Sequence, residues 1–252
     1  MFAQEREKEI MEILLKKKAV TVNFLSKSLY ISEATVRRDL ARMDKSGLLR
    51  RTHGGAVIMD GISDEPSLLI REQEYINEKQ YIASKAIKYI KPNNTIFMDS
   101  SSTVGEVIPY LNQKMPLTII TNGLKNAMRL SMETDANIYM AGGGIEGRSK
   151  AALDGDSVQY LENRYADVVM FSCSGVDLNN GITDVSPKQS RIKQIMIKNS
   201  KFKILLCTKN KFNQTFMCKT ANFSDIDLLI TDSKPDKKTE EMISSSGCKI
   251  VY

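Results

Sequence analysis

The sequence predicts an α/β protein in two parts: an N-terminal winged helix-turn-helix, then a mostly parallel αβα sheet domain. Three observations lead there. Seven apolar runs from residue 95 onward, TIFMDS, LTIITN, NIYMAGG, DVVMFSCSG, KILLCT, DLLITD and KIVY, read as strands. Helix-like stretches at 103–111, 123–132, 188–200 and 236–245 alternate with them, the pattern of a parallel sheet covered on both faces. The charge is also lopsided. Residues 1–57 hold twelve Lys or Arg against seven Asp or Glu, a net of +5, while the other 195 residues hold 24 against 23. A small basic head on a nearly neutral body points to a polyanion partner for the head.

Composition sets the outer bounds. At 42% apolar and 26% charged residues, the 252-residue chain has the material for a core. No apolar run approaches the roughly 18 residues of a membrane span. The start, MFAQEREKEI, lacks an apolar signal core, so a cytoplasmic protein without a membrane partner is expected. Cys173, Cys207, Cys218 and Cys248 lie far apart, forming no C-x-x-C pair, and read as free thiols. With His53 as the single histidine, no metal site and no Ser-His-Asp triad is expected, and no cofactor is implied.

The head divides into domain 1–57. Residues 5–17 place Arg6, Ile10, Ile13 and Leu14 at helical spacing. After a gap at 18–20, Thr21 caps a second helix carrying Val22, Leu25 and Leu29 inward. Ser32 caps a third, SEATVRRDLARMDKSG, with Val36, Leu40 and Met43 on one face and Thr35, Arg37, Arg38 and Arg42 on the other. The DNA major groove admits one helix, whose N-terminal residues meet base edges. Ser32, Thr35, Arg37, Arg38 and Arg42 are therefore the candidate contacts. LLRRTHGGAVIM then reads as a small hairpin, a wing, offering Arg50, Arg51 and His53 to the backbone or minor groove.

The run ISEATVRRDLARMDKSGLLRRTHGGA resembles the N-terminal signature of the DeoR family of bacterial transcription regulators, with TVRRDL and RTHGGA as its specific parts. Turn-rich residues 58–67 read as a linker, and 68–252 as an effector-sensing domain opened by a helical stretch, LLIREQEYINEKQYIASKAIKYI. Arg71, Glu78 and Lys79 read as its charged outer face.

In such sheets ligands bind beyond the carboxyl ends of the strands. There the sequence offers Asp99, Ser100, Ser101, Ser102 and Thr103, then Thr121 and Asn122, then Gly142 and Gly143, then Gly175 and Asp177, with Lys193 on the next helix. Hydroxyls, amides and one lysine suit a polar, anionic small molecule. Gly142-x-Gly144-x-x-Gly147 matches the dinucleotide pattern, but RSKAALDGD does not open the helix a pyrophosphate needs. This half also resembles the DeoR sensor domain, similar in fold to ribose-5-phosphate isomerase. Against the family pattern, Ser101 stands for a loop glycine, Gln189 for a glutamate, Thr208 for an aspartate and Asn213 for a glycine.

The resemblance implies a repressor of sugar or carbohydrate genes, working on double-stranded operator DNA under a phosphorylated sugar effector. A head of this size reads few base pairs, so a homo-oligomer, dimer or tetramer, is expected. An isomerase is the weaker alternative, with Asp99, Asp177 and Asp184 as bases and Lys193 steadying an oxyanion. An RNA adaptor is weaker still, because the head lacks an aromatic platform.

Overall fold

The computed structural model describes residues 2–45, 47–57 and 66–252. The chain forms two compact units, Met1–Arg71 and Glu72–Tyr252.

The first unit runs α1 (Ala3–Lys17), β1 (Ala19–Thr21), α2 (Val22–Leu29), α3 (Glu33–Lys45), β2 (Arg50–Thr52), β3 (Gly55–Val57) and the start of α4 (Leu68–Gln73). Its apolar stripes meet in one core, including Ile10, Leu14, Leu25, Leu29, Val36, Leu40 and Met43. Thr21 caps α2 by accepting from the Phe24 N–H at 3.1 Å, and Ser32 Oγ accepts from the Thr35 N–H at 3.2 Å. The gap expected at 18–20 is largely a strand: β1 pairs antiparallel with β3, giving the order β1-β3-β2. Glycine is required at position 55, where a Cβ would lie 1.9 Å from the Val20 carbonyl oxygen. Most of the expected linker, 58–65, lies outside the described residues. Ile70 packs in the head core, so the first unit reaches beyond residue 57.

The expected continuous helix after residue 68 is broken. Tyr75 takes φ +54° between α4 and α5 (Ile76–Ala86). Lys79, read as an outer-face charge, is buried.

The second unit contains β4 (Thr95–Met98), α6 (Ser102–Gly105), β5 (Thr118–Thr121), α7 (Leu124–Glu133), β6 (Asn137–Met140), β7 (Ile145–Glu146) and β8 (Ala151–Ala152). There follow α8 (Gly155–Glu162), β9 (Ala166–Phe171), β10 (Gly175–Asp177), β11 (Gly181–Asp184), α9 (Pro187–Lys198) and β12 (Ser200–Leu206). The chain closes with β13 (Cys218–Ala221), β14 (Leu228–Ile230), α10 (Lys237–Ser245) and β15 (Lys249–Val251). All seven apolar runs join one sheet, ordered β15-β14-β12-β9-β4-β5-β6, with every pair parallel.

Alternation along the strands makes two cores. Ile96 and Met98 face one with Ile82, Ala86 and Leu130; Phe97 faces the other with Leu161, Ile192 and Ile243. Two features escaped the sequence reading. Asp154 caps α8, and SGVD and GIT form β10 and β11, which join β13 in a small antiparallel sheet.

Candidate functional sites

Two groups of residues stand out, one in each unit. On α3, Ser32, Arg37 and Arg38 are exposed and Thr35 is half-buried. Ser32 and Thr35 share a hydroxyl contact of 2.9 Å at the helix start, and Arg37 pairs with Glu33 at 3.2 Å. Arg38 has no ion-pair partner among the described residues. Arg50 and Arg51 stand on the exposed strand β2, and His53 on the exposed turn after it.

Arg42 is placed differently. Its guanidinium meets Glu7 at 2.5 Å and Asp39 at 2.8 Å, and Arg6 reaches Asp39 at 2.7 Å. Asp39 is buried. These pairs tie α1 to α3, and they raise both guanidinium pKa values further above the ordinary range: Glu7 is the main cause for Arg42 and Asp39 for Arg6. Arg42 thus serves the packing of the head. The signal was in the sequence: Arg6 stands in an apolar stripe, where only a carboxylate on a facing helix can satisfy it.

The second group lies at the carboxyl ends of β4 and β5. Asp99 is buried; its Oδ1 accepts from the Ser101 N–H at 2.9 Å and hydroxyl at 2.5 Å, and its Oδ2 from the Ser172 N–H at 3.0 Å. Ser101 caps the single-turn α6, which places Ser102 and Thr103 in its first turn. Thr121 Oγ1 accepts from the Gly123 N–H at 3.1 Å. Position 123 needs glycine, since a Cβ would lie 2.9 Å from Ser100 Cα; the β5 loop therefore packs directly on the β4 loop.

Across from these loops runs α9, started by Ser186 as cap and Pro187 in its first turn. It carries Gln189, Ile192 and Lys193 inward. Lys193 Nζ lies 2.7 Å from Asp184 Oδ1 and 3.9 Å from Asp99 Oδ2, all three residues being buried. Thr220 donates to the other Asp184 oxygen at 2.8 Å. Asp99, Ser100, Asn122, Leu153, Gln189, Ile192 and Lys193 line a narrow cleft that is closed to a water molecule. Thr103 Oγ1 and Asn122 Oδ1 are buried and make no hydrogen bond among the described residues.

The fold thus brings together Asp99, Ser100, Asn122 and Lys193 around the cleft, with Ser101, Ser102, Thr103 and Thr121 shaping its loops. Gly142 and Gly143 are exposed, in a loop held from α8: Asp154 accepts from the Gly144 N–H at 2.5 Å, and Ser157 donates to the Gly142 carbonyl at 2.6 Å. Those bonds, the Gly144 N–H foremost, hold the Asp154 carboxyl below its usual range. Gly175 and Asp177 lie in the small sheet, and Asp177 Oδ1 accepts three hydrogen bonds from Asn179 and Asn180 in its own hairpin turn. The dinucleotide pattern leads into the β7–β8 hairpin, not a helix. Sequence reading missed Leu153 and Ile192 as lining residues, because apolar walls carry no polar signature. Asn213 adopts φ +60°, so it fills the turn where the family pattern has glycine. Two of the buried thiols are held protonated: Cys207 is pushed up by Cys173 and desolvation, and Cys248 to about 12 by burial.

A winged helix-turn-helix joined in one chain to a domain with a polar cleft at its strand ends defines a DNA-binding regulator with a sensing module. The comparisons agree. The DeoR-like helix-turn-helix domain matches residues 6–61, and the DeoR C terminal sensor domain matches residues 74–233. The uncharacterized HTH-type transcriptional regulator YulB of Bacillus subtilis is 30% identical over 253 residues, 99% of this chain and 96% of its own. The regulator GlpR of Haloferax volcanii is 28% identical, covering 100% of this chain and 98% of its own. The repressor GlcR of Bacillus subtilis is 27% identical, with 100% and 96% covered. A solved D-ribose-5-phosphate isomerase, in complex with phospho-erythronic acid, covers 53% of this chain and 52% of its own at 16% identity and a TM-score of 0.40. The chain belongs to the DeoR family of transcriptional regulators. Among the described residues no helix is long and apolar enough to cross a membrane.

Proposed function

We propose that this regulator is a cytoplasmic repressor of carbohydrate genes, and that a phosphorylated sugar in the cleft beside Lys193 sets its affinity for operator DNA. One observation carries the reading. Buried polar groups of both kinds converge there, and one of them, Asn122 Oδ1, has no hydrogen-bond partner among the described residues. An unpaired buried polar atom costs about 1–3 kcal/mol, a cost that a ligand's hydrogen bonds offset. Asn122 Oδ1 and the two carboxylates accept from sugar hydroxyls. Lys193, Thr103 and the loop N–H groups donate to an anion.

The cleft as it stands has no room for a water molecule, whereas a typical ligand pocket holds roughly 300–1,000 Å³. Binding must therefore widen it, moving α9 away from the β4 and β5 loops and loosening Lys193 from Asp184. That displacement gives the ligand a preference for one conformation, which any switch requires. Ser32, Thr35, Arg37, Arg38, Arg50, Arg51 and His53 form the operator-reading surface, double-stranded DNA being the partner, and paired half-sites call for a homo-oligomer. Asp99 and Asp184 are held by hydrogen bonds and by Lys193, so neither is free as a base, and no turnover is assigned.

The test is fluorescence anisotropy of the full chain on DNA from its own upstream region, at fixed salt. Phosphorylated sugars are titrated, each beside its unphosphorylated form. A change in DNA affinity by one phosphorylated sugar alone is the expected result. Specific DNA binding that answers to none of them overturns the effector reading.

A further inference from the structure

The outer face of α7 has no partner in its own unit. Leu130 points into the core, while Leu124, Met128 and Met132, spaced four residues apart, stand 44%, 56% and 73% exposed on the opposite side. Beside α7 lies β6, an edge strand of the seven-stranded sheet, whose Ile138 packs on the same core as Leu130 while Tyr139 faces the other side of the sheet. Surface helices normally turn charge to water; here three apolar side chains do. The two sheet edges also differ. β15 carries Lys249, the kind of residue that blocks edge pairing, whereas β6 (Asn137, Ile138, Tyr139, Met140) carries no charge and no proline.

We propose that the outer face of α7, with the β6 edge beside it, is where a second copy of this chain docks. Three features select a second copy over a charged partner. The first is charge. Lys125 is paired with Glu72, and Arg129 with Glu133 at 2.9 Å and Glu106 at 3.8 Å, so the helix shows no unspent charge for an acidic or basic partner to meet. The second is symmetry. Leu124 and Met132 are equidistant from Met128, so a two-fold axis at Met128 sets each against the other on an antiparallel neighbour, as a self-complementary interface demands.

The third is area. Leu124, Met128 and Met132 leave on the order of 350 Å² of mostly apolar surface open, and the unpaired backbone of β6 lies next to it. A standard interface buries about 800 Å² per partner, roughly 60% of it apolar, so this face supplies about three quarters of the apolar share. Met-rich contacts also adapt to a facing copy of themselves. The inference gives a location to the oligomer invoked in the functional reading, and rests on that reading for its purpose alone.

Sedimentation equilibrium of the full chain, without DNA or sugar, tests it separately from the effector reading. The wild type should be a dimer or larger. Met128→Glu with Met132→Glu should weaken association about 100-fold, with unchanged circular dichroism. Met242→Glu, on the exposed side of α10, should leave association intact. Met128→Cys in a Cys218→Ser background should crosslink to itself through a short bismaleimide, which keeps the test decisive if the double variant misfolds. A monomeric wild type, association unmoved by the two glutamates, or no crosslink at position 128 overturns the proposal.

Discussion

The two units handle charge in opposite ways. In the head, Arg38, Arg50 and Arg51 lie open to solvent, and only the Arg6–Asp39–Arg42 group is spent on packing. In the sensor, Lys193 and its carboxylates are buried, and the lysine already holds Asp184 at 2.7 Å. Exposed charge gives reach and salt sensitivity at little cost in stability. Buried charge gives a stable cluster that a ligand must rearrange before it binds.

The largest effect expected from that contrast is at Asp184. Asp184→Ala leaves Lys193 with Asp99 3.9 Å away and strips Thr220 of its acceptor. Breaking a buried pair by removing one partner costs about 3–5 kcal/mol. Urea unfolding of the sensor should show a loss of that size; one under about 1 kcal/mol would mean the cluster is wetter than its burial implies. The matching change in the head, Asp39→Ala, should cost less, about 2 kcal/mol, because the arginines it frees can turn to water. Equal losses at the two sites would erase the contrast.

Arg38 and Arg42 sharpen it within a single helix. Arg38→Ala should reduce operator affinity by about 1–3 kcal/mol, and equally on all sequences if it meets phosphate instead of a base edge. Arg42→Ala should change operator affinity much less and unfold the head more readily, as seen by anisotropy beside thermal melting. The smallest effect concerns pH. The Asp154 carboxyl titrates below its ordinary value, so its hold on the Gly144 loop is complete above about 3.9 and fades only as pH falls through the lower folded value. The Gly144 amide resonance should move in that acidic window, and Asp154→Asn should abolish the movement.

Much of this architecture was legible before any coordinates. The strands of the main sheet are near-continuous apolar runs, which neither periodicity nor length disguises, and Val36, Leu40 and Met43 mark the buried side of α3 unaided. The strand-end rule led to Asp99, Ser100, Asn122 and Lys193, which the fold gathers around one cleft. What stayed hidden depended on long-range pairing. β13 reaches β11 from about 40 residues away, so no local pattern announces the small sheet that the β10–β11 hairpin joins. Arg42 looked like its neighbours on α3 because its partner Glu7 lies 35 residues away on another helix. Asp177 meets its own hairpin turn, a local use that the sequence does not distinguish from a place at a ligand.

The register of the small sheet has a practical consequence. Cys218 on β13 lies directly across from Asp184 on β11, and unlike Cys173, Cys207 and Cys248 it is only partly buried. Nature has thus left one approachable thiol a single strand away from the carboxylate that grips Lys193. A small fluorophore attached there under mildly alkaline conditions would watch the cleft from the strand next to it, reporting occupancy in a chain whose residues are otherwise all native.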